Sequence, residues 1–170
     1  MTVVGFVTEY NPFHFGHKYH LEQSIKETNA EYSVAIMSGS FVQRGEPSLI
    51  DKWTKAKIAV DNGVDLVIEL PFVFAVQSAE LFAYGSVKLL DSLNVVDYIS
   101  FGSELGELEP LQNIANVLVK EPPFFKERLK YHLSNGSSFA VARSNAIVDY
   151  FNAHHTNLQH DLMEILNNSN

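Results

Sequence analysis

No cysteine occurs anywhere in the 170 residues. Disulfide frameworks, thiolate metal sites and cysteine nucleophiles are thereby removed together, and any metal ligand would have to be His or carboxylate. Long apolar runs are lacking too. The greasiest stretches, 64–70 and 73–76, are broken by Asp65, Glu69 and Pro71, well short of the roughly 18 uninterrupted apolar residues of a membrane helix. No bilayer span is expected. The N-terminus has no basic region and turns polar at Thr8-Glu9, so it does not read as a secretory signal, and a cytoplasmic chain is expected. Positive charge is also scarce: 12 Lys and Arg stand against 20 Asp and Glu, a formal charge of −8. A protein that grips nucleic acid by itself must neutralise phosphates, which this balance disfavours. The one basic cluster, Lys126, Arg128 and Lys130, lies in a helical pattern beside Glu121 and Glu127 and reads as a solvated helix face.

What is present is a globular composition, 46% apolar and 12% aromatic, long enough to bury most of its surface in one domain or a compact pair. Thr2 to Thr8 is β-branched and nearly continuous in its apolarity, as a strand buried on both faces would be. The pattern then alternates: helix from Gly16 to about Thr28, strand Tyr32 to Met37, helix Asp51 to Asn62 stopped by Gly63, strand Val64 to Leu70, helix Ser78 to Leu93, strand Val96 to Phe101. Parallel neighbours need crossover connections, and these are helical. The expected fold is therefore α/β, a doubly wound parallel sheet with helices on both faces. From Glu107 onward only helices are expected, Leu108 to Val119, Phe124 to Leu133, Phe139 to Phe151 and Leu158 to Leu166, with Asn135-Gly136-Ser137-Ser138 as a turn and N-cap.

The sharpest local feature is strand, then Glu9-Tyr10-Asn11-Pro12-Phe13-His14-Phe15-Gly16-His17, then helix. In an open α/β sheet ligands bind beyond the carboxyl ends of the strands. A helix N-terminus there offers free N–H groups and a partial positive charge, which suit phosphate. Gly16 would let a ring or phosphate approach the backbone, while His14 and His17 would aim imidazole donors at phosphate oxygens. Taken singly, one histidine reads as a helix cap, another as a surface residue, and His20 as a continuation of the helix face. The pair with its glycine points to phosphate.

His14-Phe15-Gly16-His17 resembles the His-x-Gly-His signature of the nucleotidyltransferase superfamily, which includes adenylyltransferases and class I aminoacyl-tRNA synthetases. Val7 to His17 together with Met37 to Pro47, Glu69-Leu70-Pro71, Gln77 to Glu80 and Phe101-Gly102-Ser103-Glu104 looks more closely like the bacterial tRNA(Met) cytidine acetate ligase family. That resemblance covers roughly the first hundred residues in order. It implies activation of acetate with ATP to acetyl-adenylate, then transfer of the acetyl group to the wobble cytidine of elongator methionine tRNA. It implies catalytic roles for His14 and His17 in stabilising the α-phosphate transition state, with positioning and electrostatics in place of a covalent intermediate. ATP contacts are implied along Val7, Thr8, Glu9, Tyr10, Asn11, Pro12, Phe13, His14, Phe15, Gly16, His17 and His20, with adenosine resting on Gly102. Asn170 is the counterpart of an ATP-touching asparagine in the family's Asn-Asn loop.

Read from the residues, Arg44 and Gln43 follow the second strand at the same sheet edge and would orient a carboxylate or phosphate, Arg44 with more weight; an ordinary exposed loop is the alternative. Glu69 reads as structural, Gly102 also as a tight turn, and Trp53 and Phe72 to Phe74 as core or helix packing. No carboxylate cluster reads as a metal cage, so an accompanying Mg²⁺ would be held by phosphates and water. Family members are much longer, and their second adenylyl motif has no counterpart before residue 170. Residues 1–170 are accordingly expected to be a nucleotidyltransferase-like ATP-binding domain truncated at its C-terminal end, with tRNA contacts mainly beyond it. Two alternatives stand beside the ligase: a small-molecule adenylyltransferase, and a noncatalytic nucleotide-binding module.

Overall fold

The structure, a computed structural model, describes residues 1–103 and 106–154. The chain divides into two units, Met1–Gly102 and Ser103–Asn170.

In the first unit the order is β1 (Val3–Thr8), α1 (Phe15–Thr28), β2 (Tyr32–Ser38), α2 (Lys52–Asp61), β3 (Leu66–Leu70), α3 (Phe72–Ala75), α4 (Ala79–Ser92) and β4 (Tyr98–Ser100). The strands pair in parallel in the order β3-β2-β1-β4, the doubly wound sheet that the sequence predicts. Side-chain alternation splits the sheet's residues between two cores. Val4, Phe6, Ala35 and Met37 pack with Leu21 of α1 and Ala59 of α2. Val3, Val34, Ile36 and Leu70 pack on the other face with Ala75 of α3 and Leu90 of α4. Each fully buried side chain of the size of Phe6 or Leu21 contributes about 1.5–3 kcal/mol of burial. Because β2 lies on one side of β1 and β4 on the other, the chain leaving β1 crosses to the side away from β4, and a crevice opens at the carboxyl edge of the two strands.

Two strands begin later than the sequence predicts, for one reason. Asp65 uses its carboxylate to accept from Ser33 N at 2.8 Å, and Asp97 likewise accepts from Val3 N at 2.8 Å. A side chain thus takes the donor that a ladder carbonyl would have taken, and β3 starts at Leu66 and β4 at Tyr98. The packing assigned to Trp53 and the Phe72–Phe74 segment is corrected in three of its residues. Trp53 is 75% exposed, Phe72 60% and Val73 64%, Trp53 lying on the outward side of the first turn of α2, whereas Phe74 packs into the second core over Gly85, where a Cβ would collide with its ring.

The second unit holds α5 (Leu108–Lys120), α6 (Pro123–Ser134) and α7 (Phe139–Ala153). Ile114, Val117, Phe125, Ala146, Ile147 and Phe151 form its core. Asp149 accepts from Arg128 Nε at 2.6 Å and lies 2.7 Å from His132 Nε2. Burial by itself would raise the Asp149 carboxyl, but these hydrogen bonds and the Arg128 charge carry it below the usual carboxylate range. Lys126 pairs with Glu121 at 3.1 Å, so the basic run on α6 is largely matched by acids. Ser138 takes the N-cap position of α7, but its side chain makes no capping bond. The helix expected over Leu158–Leu166 and the Asn170 site lie outside the described residues. Among the described residues no helix is long and apolar enough to cross a membrane.

Candidate nucleotide site

The turn from β1 into α1 is built from its own side chains. Tyr10 adopts a left-handed backbone, φ 44°, and its buried ring sits 4.8 Å from that of Phe13 and 4.9 Å from that of His17. His14 is the N-cap of α1. Its Nδ1 accepts from Gly16 N at 3.1 Å, and His17 Nδ1 reaches back to accept from His14 N at 3.3 Å, a reciprocal capping box made of two imidazoles. The two rings stack with centroids 3.6 Å apart.

This arrangement decides the protons. A ring nitrogen that accepts from a backbone N–H is unprotonated, so each neutral imidazole carries its hydrogen on Nε2. Both histidines therefore present an Nε2–H donor. Burial, helped by the neighbouring His14 and His20, holds His17 below the usual histidine range. The phenol of Tyr10, pushed up to about 12 by burial, stays neutral beside it. His20 follows the same logic by another route. Ser24 Oγ donates to the His20 carbonyl at 2.7 Å, which leaves Ser100 to donate to Ser24 at 2.6 Å and His20 Nε2–H to donate to Ser100 at 3.1 Å. That chain ties α1 to the end of β4, and burial lowers the His20 pKa as well.

A cavity of about 530 Å³ opens at this edge, lined by Val7, Thr8, Glu9, Tyr10, Asn11, Pro12, His14, His17, His20, Phe101 and Gly102. The residues that follow β1 and β4 thus line one space. A Cβ at Gly102 would have nothing within 4 Å, so this backbone is open to a ligand. Its lining contains no lysine or arginine among the described residues. Anion stabilisation there rests on the imidazole donors and the N-terminus of α1.

Other residues singled out in the sequence are placed elsewhere. Phe13, Phe15 and Gly16 do not line this cavity; Gly16 is needed because His14 folds over it, a Cβ meeting the ring at 2.9 Å. Arg44 is exposed at the tip of the 41–47 turn, where Gly45 N donates to Val42 O at 2.8 Å, and it does not reach the cavity lining. Gln43 is a tether: its backbone N–H donates to Glu9 Oε1 at 2.6 Å and its side chain to the Gln77 carbonyl. Asn11 Oδ1 accepts from Ser48 Oγ at 2.9 Å and Leu49 N at 2.8 Å, binding the β1–α1 loop to the β2–α2 segment. Glu69 pairs with Lys52 at 2.6 Å. Among the described residues no group of three or more His, Asp or Glu stands ready to hold a metal ion.

Sequence reasoning missed Lys55. It is fully buried, and its ammonium donates to the carbonyls of Glu9 at 3.0 Å and Ser38 at 2.9 Å. The available signal was its spacing: Lys55 falls four residues before the buried Ala59, on the stripe of α2 that faces the sheet.

The whole chain, residues 1–170, matches the model of the HIGH Nucleotidyl Transferase family. A tRNA(Met) cytidine acetate ligase of Caldanaerobacter subterraneus subsp. tengcongensis is 59% identical over 148 residues, 87% of this chain and 37% of the relative. One from Clostridium perfringens is 50% identical over 172 residues, 100% of this chain and 42% of the relative. The chain thus spans about two fifths of the length of these curated relatives. Among solved structures, Thermotoga maritima TmcAL bound with alpha-thio ATP superposes with a TM-score of 0.92 at 45% identity, over 96% of this chain and 39% of that one.

Proposed function

The chain belongs to the HIGH nucleotidyl transferase family, and from that premise we propose that it is the N-terminal, nucleotide-activating part of a tRNA(Met) cytidine acetate ligase. One observation carries this reading: the stacked His14–His17 pair, with both Nδ1 atoms engaged by the turn and both Nε2–H groups left as donors, at a cavity that Gly102 completes. The ATP-analogue complex of the Thermotoga maritima relative and the names of the ligases support it.

In this reading ATP lies across the carboxyl edge, its phosphates at His14, His17 and the first N–H groups of α1, and its adenosine against Gly102. A carboxylate oxygen of acetate attacks the α-phosphorus, the bond to the bridging oxygen breaks, and pyrophosphate leaves. Donors fixed before the reaction stabilise the charge that builds on the α-phosphate without reorganising. Acetyl-adenylate results. The exocyclic amine of the wobble cytidine then attacks the acetyl carbonyl, loses a proton and expels AMP, leaving N4-acetylcytidine. Mg²⁺, where it accompanies ATP, is carried by the phosphates and water. Residues beyond this chain supply most tRNA contacts, and the reaction belongs in the cytoplasm, where its tRNA substrate resides.

Two measurements test the reading. Calorimetric titration of the 170-residue chain with ATP is expected to show one site, lost in a His14, His17 double substitution. Mass spectrometry of elongator methionine tRNA incubated with the longer ligase, ATP and acetate is expected to show one acetyl group on the wobble cytidine. A chain that does not bind ATP, or a ligase that acetylates no cytidine, contradicts it.

A further inference from the structure

We infer that Lys55 is a positioning residue of the nucleotide site, its buried ammonium clamping the carboxyl ends of β1 and β2 through the carbonyls of Glu9 and Ser38 and so fixing the loop that presents His14 and His17. The inference rests on the nucleotide site proposed above and extends it to a residue that no ligand would touch.

The geometry singles out this lysine. Its side chain is fully buried, and burial pulls its pKa below the usual lysine value even though the Glu9 and Glu69 carboxylates favour its charge. An apolar side chain of similar volume would fill the space without the cost of desolvating an ammonium. What such a side chain would not do is donate. The Glu9 carbonyl immediately precedes Tyr10, whose left-handed backbone turns the chain and whose ring backs the His17 imidazole. The Ser38 carbonyl closes β2, and Ser38 Oγ is, among the described residues, a buried side-chain oxygen with no hydrogen-bond partner. Three ties bind the β1–α1 loop to the segment between β2 and the end of α2: Glu9 carboxylate to Gln43 N, Asn11 to Ser48 and Leu49, and Lys55 to the Glu9 carbonyl. The first two join loop to loop. Of the three, only Lys55 anchors the loop to a helix, and so ties it to a rigid element, as a constellation of donors held for catalysis requires.

The test compares Lys55→Met, Lys55→Arg and the parent at a temperature where each is folded by circular dichroism; Lys55→Leu, which likewise cannot donate, replaces the Met variant if that does not fold. The first readout is the imidazole ¹⁵N spectrum of the 170-residue chain, which needs no substrate. The parent is expected to show His14 and His17 as single Nε2–H tautomers, Lys55→Met a mixture of tautomers, and Lys55→Arg the parental pattern. The second is kinetics in the longer ligase, where Lys55→Met is expected to lower kcat by about tenfold or more with KM for ATP within about threefold, and Lys55→Arg to restore most of it. Parental spectrum and parental kcat in Lys55→Met overturn the inference. A lowered kcat with an unchanged imidazole spectrum overturns it too, because Lys55 would then act on substrate and not through the loop. If the parent ligase proves inactive, the proposed reaction fails while the spectrum still decides the role of Lys55.

Discussion

His14 and His17 are joined twice: their rings stack at 3.6 Å, and the backbone N–H of His14 donates to His17 Nδ1 at 3.3 Å. Each histidine is thereby part of the helix cap and, through Nε2–H, a donor to the cavity. In the proposed function, capping and ligand binding draw on opposite nitrogens of the same rings.

That division makes the two roles separable. His14→Asn keeps a side-chain oxygen suited to an N-cap but deletes the Nε2–H donor. Its melting temperature is expected to stay near the parent's, while turnover in the longer ligase falls by roughly a hundredfold. His14→Ala should lose both, with about 1 kcal/mol of stability. Full turnover in His14→Asn would show that capping is its whole contribution.

Acid should undo the site. The pKa values of His17 and His20 are depressed by burial, so the unfolded chain takes up these protons first as pH falls through about 6.5. Stability from these groups is fully present above that value and is lost as pH falls toward the lower folded-state values. Protonated His17 also cannot accept from His14 N. Melting temperatures should decline as pH falls below about 6.5, and His17→Gln should flatten the decline. A parent melting temperature that rises as pH falls there contradicts the assignment.

Gly16→Ala probes the crowding directly. A Cβ there would meet the His14 ring at 2.9 Å, so the ring must swing away and give up its bond to Gly16 N. ATP affinity measured by calorimetry is expected to fall by about tenfold or more, with Gly102→Ala, where a Cβ meets nothing, as the comparison that tests whether ligand itself occupies the space.

Ser38→Ala is expected to leave stability unchanged or raise it by about 1 kcal/mol, since it removes a buried hydroxyl that has no partner and leaves the Ser38 carbonyl to Lys55. Chemical denaturation reads this. A loss above about 1 kcal/mol would mean the hydroxyl has a role in the fold.

The charge of −8 bears on tRNA. Counterion release needs clustered positive charge, and of the α6 bases Lys126 and Arg128 are matched by Glu121 and Asp149. The short chain should bind elongator methionine tRNA feebly with a shallow salt dependence, beside a steep one for the longer ligase. Equal slopes would place recognition within these residues.

Much of this was legible in the sequence because the relevant signals are local. Apolar strands alternating with helices specify a parallel sheet, and His14-Phe15-Gly16-His17 at a strand-to-helix junction marks the candidate site. Less legible was anything set by tertiary pairing. The late starts of β3 and β4 depend on Asp65 and Asp97 meeting donors 32 and 94 residues away. Asn11, an implied ATP contact, lines the cavity while its Oδ1 accepts from Ser48 and Leu49, a pairing set by tertiary structure. The crowding at Gly16 comes from the His14 ring two residues earlier. Lys55 escapes a sequence reading, because its spacing puts a lysine on the buried stripe of α2 but does not show which carbonyls it meets.

Acetate-dependent exchange of labelled pyrophosphate into ATP, run with the longer ligase carrying either the parental sequence or His17→Ala, bears most directly on the site's role. Exchange that requires acetate and drops by roughly a hundredfold in His17→Ala is the expected result. Exchange that proceeds equally without acetate, or is indifferent to His17, would contradict carboxylate activation at this histidine pair.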